Sequence, residues 1–178
     1  MRDFGESRVI DAIAKIERLP EEIRKNSTFH MIGHLQSNKV AKAVGFFDYI
    51  HSVDSIKIAE EISKAAVKKN ITQKVFIQLN NADEEQKYGL SVGSISEAFS
   101  CIINMQGIKV VGIMNIAPMM IEETELKSLF EGVVKVRDNL QDEFKYELKE
   151  ISMGMSNDYK MAVGAGATMV RIGRKLFK

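Results

Sequence analysis

Two short stretches carry the most legible chemistry in this chain: Ile151-Ser-Met-Gly-Met-Ser156 and, about thirteen residues later, Met169-Val-Arg-Ile-Gly173-Arg174. Each reads as a β-strand running into a glycine-containing loop that opens a helix. That arrangement aims backbone N–H groups and the positive end of a helix dipole at an anion. Two such loops in succession point to a phosphate. Ser152 is a candidate to bind it through its hydroxyl, with Met153 in the backbone of the same loop. Ser156 serves equally well as a phosphate ligand or as the N-cap of a helix whose first turn holds Asn157 and Asp158. Gly173 and Arg174 are expected to open the last helix. The final eight residues hold Arg171, Arg174, Lys175 and Lys178 without one acid, a local field that attracts a dianion, although Lys175 and Lys178 also suit a solvated helix face.

Arg171 lies between Val170 and Ile172, so strand alternation sends it to one face together with Met169 and Gly173. An arginine buried without a partner is costly. It is therefore expected either to pair with a carboxylate or to donate to an acceptor on a ligand.

The elements that must position these groups follow a strand-helix alternation. β-rich runs recur at intervals of about 20 to 37 residues, each followed by helical spacing, the signature of parallel βαβ units. The expected strands are Arg2–Gly5, Phe29–Gly33, Tyr49–Val53, Lys74–Asn80, Lys109–Asn115, Glu147–Met153 and Met169–Gly173. Helical stripes run through Val9, Ile13 and Ile16, through Ile58, Ile62 and Ala66, and through Leu126, Phe130, Val133 and Val134. Ser94-Ile-Ser-Glu97 reads as a capping box. The two prolines, Pro20 and Pro118, fall in loops.

The fold class is therefore α/β, a TIM-type barrel with about seven strands. Barrels of this kind place phosphate sites on their last two strand-helix units. Closure ordinarily needs eight strands, so the barrel is expected to be incomplete, a single domain over residues 1–178 that starts one β/α unit late. A missing strand leaves open edges, which favour a homo-oligomer or a complementing N-terminal fragment.

Composition narrows the function. Lys+Arg 25 against Asp+Glu 24 gives a net charge of +1, far from the excess that nucleic-acid binding requires. The apolar runs are short and interrupted, so no membrane span or signal peptide is expected, and a cytoplasmic location is the simplest reading. Cys101, the single cysteine, sits among Phe99, Ile102 and Ile103 and is expected to be a buried core thiol. His30 and His34 have the spacing of a helical zinc pair, but Phe29–Gly33 reads as strand, so no metal site is expected. His34 is read as a loop hydrogen-bonder, and the methionines, Met119 and Met120 included, as core filling. No Ser-His-Asp or Cys-His constellation is legible.

In chain order, Asp3-Phe-Gly-Glu6, Phe29-His-Met-Ile-Gly-His-Leu-Gln-Ser-Asn-Lys39, Ser52-Val-Asp-Ser55, Glu85-Gln-Lys-Tyr-Gly-Leu90, Val111-Gly-Ile-Met114, Ile151-Ser-Met-Gly-Met-Ser156 and Gly166-Ala-Thr-Met-Val-Arg-Ile-Gly173 resemble the pyridoxal 5′-phosphate homeostasis proteins. These share the barrel of the amino-terminal domain of alanine racemase. The resemblance implies a pyridoxal 5′-phosphate (PLP) site, a role in PLP homeostasis without turnover, and a hydrogen bond from Arg171 to the pyridine nitrogen. It implies a cofactor contact near Ser7, where the family commonly has asparagine, and a phosphate cup in which Arg174 replaces a small hydroxyl residue. The family's imine-forming lysine lies on a strand upstream of Asp3-Phe-Gly-Glu6; Lys87 is the substitute expected if an adduct forms. The alternatives are a racemase-like PLP enzyme or one piece of a split barrel.

Overall fold

The computed structural model of the chain describes residues 2–82, 88–119 and 121–176. Its strands are β1 (Asp3–Glu6), β2 (Thr28–Met31), β3 (Tyr49–Val53), β4 (Gln73–Asn80), β5 (Leu90–Ser91), β6 (Ile108–Asn115), β7 (Glu150–Met155) and β8 (Met169–Arg171). Seven of them form one sheet in the order β1-β2-β3-β4-β6-β7-β8, with the two-residue β5 attached to β4. Every pairing is parallel. No ladder joins β8 to β1 among the described residues. The sheet nevertheless curls far enough for His51 on β3 to meet Ser152 on β7 at 3.0 Å, so it is a nearly closed barrel of seven strands.

Helices α1 (Val9–Ile16), α2 (Glu21–Lys25), α3 (Val40–Ala43), α4 (Ile56–Lys68), α5 (Ile95–Ile103), α6 (Glu123–Phe144) and α7 (Tyr159–Ala165) return the chain from one strand to the next. The stripe predicted for α4 is buried as expected, whereas on α1 Ile13 and on α6 Leu126 and Val134 are only partly buried, the α6 face being completed by Leu129, Val136 and Leu140. On α4, Ile58, Ile62 and Ala66 are buried, and Ser55 caps the helix by accepting from the Ile58 amide. The apolar core lies between helices and sheet, where Ile50, Val75, Ile77, Val110, Ile113 and Ile151 meet Ile62, Phe99 and Phe130. Among the described residues no helix is long and apolar enough to cross a membrane.

Several local expectations are corrected. The strand expected at Glu147–Met153 runs instead over Glu150–Met155, because α6 continues to Phe144 and Lys145 then turns left-handed, with φ 50°. A short loop follows, pinned by Leu148 donating from its amide to Gln141 and Tyr146 donating from its hydroxyl to Val110. The Ser94/Glu97 capping box does not form. Ser94 is already helical at φ −103° and ψ −11°, and its hydroxyl turns back onto Ser91. Cys101 is exposed, not core. The buried face of α5 is Ile95, Ala98, Phe99 and Ile102, and position 101 falls off that stripe. Met119 is 89% exposed, so it fills no core; Met120 lies outside the described residues.

Candidate functional site

Alternation along β2, β3, β4, β7 and β8 turns a second set of side chains inward, and most of these are polar. Arg171, the last residue of β8, donates through Nη1 to the Ser152 carbonyl and to Ser152 Oγ, both at 2.8 Å, and through Nη2 to the Asn115 carbonyl at 2.7 Å. Ser152 Oγ lies 3.0 Å from His51 Nδ1, and His51 Nε2 lies 2.9 Å from His30 Nδ1. His30 Nε2 in turn reaches Asp3 Oδ1 at 3.3 Å, at the N-terminal end of β1. His51 stacks on Phe76, with ring centroids 4.0 Å apart, and His30 on Tyr49 at 4.8 Å. Ser152, His51 and His30 are buried at 0%, 2% and 5% exposure.

Burial sets the charge states. It lowers the pKa of His30 against the opposing pull of Asp3 and Asp48, and it lowers that of His51 well below the usual imidazole value, with His30 and the Arg171 cation adding to the effect. Burial also pulls Arg171 down to about 10, opposed by Asp158, and leaves it cationic at neutral pH. The carboxylate ion pair weighed for Arg171 does not form among the described residues. Its partners are neutral oxygens, which engage three of its five N–H groups.

The two phosphate-type loops leave neighbouring strands on the same side, with Met155 paired to Arg171. The β7 loop depends on Gly154, whose φ is +91° and where a Cβ would come within 2.5 Å of the Ala162 Cβ as α7 packs down. Among the described residues, the first loop alone opens a helix. The N-cap of α7 is Asp158, so Ser156 lies in the preceding turn and is not the cap, and the first helical turn does not contain Asn157 or Asp158. After β8, Arg174–Leu176 form a turn closed by the Leu176 amide on the Gly173 carbonyl, and no helix begins among the described residues there. Lys175 lies 4.7 Å from the centre of the Tyr159 ring. Ser156 is buried, Gly173 and Arg174 are exposed, and Met153 is buried on the helix side in the apolar core. Ser152, by contrast, turns its hydroxyl inward to Arg171 and His51.

Ser7 follows β1 at the same C-terminal rim and is exposed. Its backbone crosses so near Gly33 that a Cβ there would lie 2.3 Å from the Ser7 carbonyl oxygen. His34 is the expected loop hydrogen-bonder: its Nδ1 lies 3.1 Å from Asp54 Oδ2, and its ring stacks on Tyr88 at 3.7 Å. Both border a hollow of about 400 Å3 that Gln36, Ser55 and Gly89 also line. A larger hollow of about 770 Å3 lies against α6, lined by Asn81, Val92, Pro118 and Gly132, and does not reach Arg171. Lys87 and Lys178 lie outside the described residues.

His30, His51 and Asp3 were not legible as site residues. The signal was partly present: His30 stands between Phe29 and Met31 on a strand, the pattern that singled out Arg171, whereas His51 stands between Ile50 and Ser52. The order Ser152, His51, His30, Asp3 resembles the chain of a serine nucleophile. Ser152 is fully buried, however, and accepts from Arg171, which leaves no approach for an acyl substrate.

Residues 1–178 match the family model of the alanine racemase N-terminal domain. The chain is 38% identical over 177 residues to the pyridoxal phosphate homeostasis protein of Aquifex aeolicus, covering 99% of this chain and 76% of that protein. It is 34% identical to the protein of the same name from Synechocystis, covering 99% and 80%. PipY of Synechococcus elongatus PCC7942 without PLP superposes at a TM-score of 0.94 with 36% identity, over 100% of this chain and 82% of that one. The form with PLP bound superposes at 0.88 with 35% identity and the same coverage. An alanine racemase of Clostridium difficile 630, at 13% identity and a TM-score of 0.79 over 99% of this chain and 45% of its own, shares the fold.

Proposed function

The chain belongs to the pyridoxal phosphate homeostasis proteins, which are built on the alanine racemase N-terminal domain, and on that premise we propose that it binds PLP at the C-terminal end of its barrel and serves cytoplasmic PLP homeostasis without catalytic turnover. The observation that carries this reading is Arg171: a half-buried cation held by neutral oxygens on β6 and β7, with two N–H groups to spare among the described residues, beside two adjacent loops. That donor set fits a ligand with an unprotonated ring nitrogen and a phosphate. The relative PipY, 35% identical, has been solved with PLP bound.

In this reading Arg171 donates to the pyridine nitrogen. Apart from the Met155 amide, which donates to the Asp158 carboxylate, the amides of the Met153–Ser156 loop, the Ser156 hydroxyl, the Gly173 amide and the Arg174 guanidinium receive the phosphate, and Ser7 borders the ring. Ser152 contributes by orienting Arg171. Bound PLP supplies an electrophilic aldehyde and a ring able to accept electrons. A guanidinium, even at a pKa of about 10, is a poor proton donor to the ring nitrogen, so the ring remains a weak electron sink. A carrier needs no more than that.

Equilibrium dialysis tests the reading. PLP should bind at least about tenfold more tightly than pyridoxal, and Arg174→Ala should lose about tenfold in affinity, the worth of one charge-assisted contact. Equal affinity for PLP and pyridoxal, or racemisation of L- or D-alanine by the PLP-loaded protein, would overturn it.

The open sheet order favours a second reading, of partners. A parallel strand from another polypeptide, or from a longer form of this chain, fits between β8 and β1. Light scattering and hydrogen exchange test it: a monomer whose β1 and β8 amides are as protected as those of β4 would refute it.

A further inference from the structure

The polar chain that crosses the barrel has a fixed direction. Arg171 can only donate and the Asp3 carboxylate can only accept. With Asp3 accepting from His30 Nε2–H, a neutral His30 has an unprotonated Nδ1, which must accept from His51 Nε2–H. A neutral His51 then has an unprotonated Nδ1, which accepts from the Ser152 hydroxyl, and Ser152 Oγ keeps a lone pair for Arg171 Nη1. Every proton in the chain points away from Arg171. One proton arrangement satisfies all four contacts, and reversing either imidazole sets two lone pairs or two N–H groups face to face.

We propose that His51 and His30, acting through Ser152, are positioning residues for Arg171: the relay locks both imidazoles as Nε2–H tautomers and holds the guanidinium in one orientation at the C-terminal end of the barrel. The relay spans that end and Asp3 on the opposite face, so a solvent-exposed carboxylate is linked to the cation of the proposed PLP site by four contacts of 2.8 to 3.3 Å. Barrel interiors are ordinarily filled by layers of branched aliphatic side chains. A polar chain through the interior requires every member to be satisfied, and that requirement ties Arg171 to one geometry.

The claim about Arg171 and the imidazoles concerns the protein itself; its consequence for affinity rests on the PLP reading above. Nitrogen-15 spectra of the ligand-free protein at pH 7.5 should show both imidazoles neutral with the proton on Nε2, and a slowly exchanging Arg171 guanidinium. His51→Leu should speed exchange of the Arg171 N–H groups and weaken PLP binding by about fivefold or more. His51→Gln should restore both, since its amide presents one acceptor and one donor at nearly the spacing of the ring nitrogens. If His51→Leu does not fold, Ser152→Ala reads the same link. A proton on Nδ1 of either ring, or unchanged Arg171 exchange in the folded variants, would overturn the relay. Correct tautomers in a protein that binds no PLP would overturn the functional reading and leave the relay standing.

Discussion

The two faces of one sheet are built from opposite materials. Toward the helices the strands present Ile50, Val75, Ile77, Ile113, Ile151 and Met153, all in the apolar core. Toward the barrel axis the same strands present His30, His51, Ser152 and Arg171, joined by hydrogen bonds. The helix face can be apolar because burial alone stabilises it, whatever the fine geometry. The polar axial face depends on fine geometry, because each polar group there must meet a partner or leave a desolvated charge or lone pair. Stability therefore belongs mainly to the outer layer and geometry to the inner one. The largest test of that division is Phe130→Ala on α6, which empties a fully buried site in the outer layer. It should cost about 3 to 5 kcal/mol in urea unfolding and leave the imidazole tautomers unchanged. Altered tautomers in that variant would mean that the two layers are not separable.

Next in size is Gly154→Ala, at the junction of the layers. With φ at +91° and Ala162 against the added methyl, the β7 loop must either strain or lift α7. The expected cost is about 1 to 3 kcal/mol, with a loss of PLP affinity larger than any seen with Phe130→Ala. Denaturation and dialysis on the same samples measure both.

Acid should act on the inner layer first. The imidazoles of an unfolded chain take up protons near pH 6.5, whereas burial holds His51 neutral to much lower pH and His30 to somewhat lower pH. Between those values the unfolded chain binds more protons, so stability is fully present above about pH 7 and falls as pH falls, by up to about 1.4 kcal/mol per pH unit for His51. The groups facing the pair pull in different directions. Asp3 and Asp48 favour the charged form of His30, Arg171 disfavours that of His51, and Tyr49 stacks on His30 without charge. Urea unfolding at pH 7.5, 6.5 and 5.5 should show a shallower decline in His51→Gln than in the parent chain. Identical declines would break the assignment of acid sensitivity to the relay.

The sequence was most informative where local pattern and tertiary role coincide. The strand over Tyr49–Val53 appears as expected, and Lys74–Asn80 and Lys109–Asn115 each gain one residue at the start. Runs of β-branched residues bounded by helical spacing leave little choice there. The start of β7 was missed because α6 ends on a left-handed lysine, a position where glycine is the usual signal. The site was half legible. The glycine loops and Arg171 announced themselves by composition, but Arg171's partners lie 19 and 56 residues away and His51 meets Ser152 across 101. No local pattern encodes a contact at that separation; only closure of the barrel creates it. Ser94 shows the reverse error, since a serine before a helix carries the composition of a cap whether or not its backbone adopts the cap conformation, and for Ser156, equally readable as cap or ligand, Asp158 takes the cap position.

The smallest expected effect is the most direct test of which layer a residue belongs to. Cys101 has apolar neighbours in sequence, yet it falls off the buried stripe of α5 formed by Ile95, Ala98, Phe99 and Ile102. A thiol in the outer core would be shielded, and replacing it would cost what a buried small hydrophobe costs. On the exposed side of the helix, Cys101→Ser should change stability by no more than about 0.5 kcal/mol, and a thiol reagent should label the folded protein at a rate close to that of the unfolded chain. Slow labelling that requires denaturant would put Cys101 inside the core and would mean that α5 is rotated about its axis relative to the sheet, which would in turn displace Phe99 from its contacts with Phe144 and Tyr146.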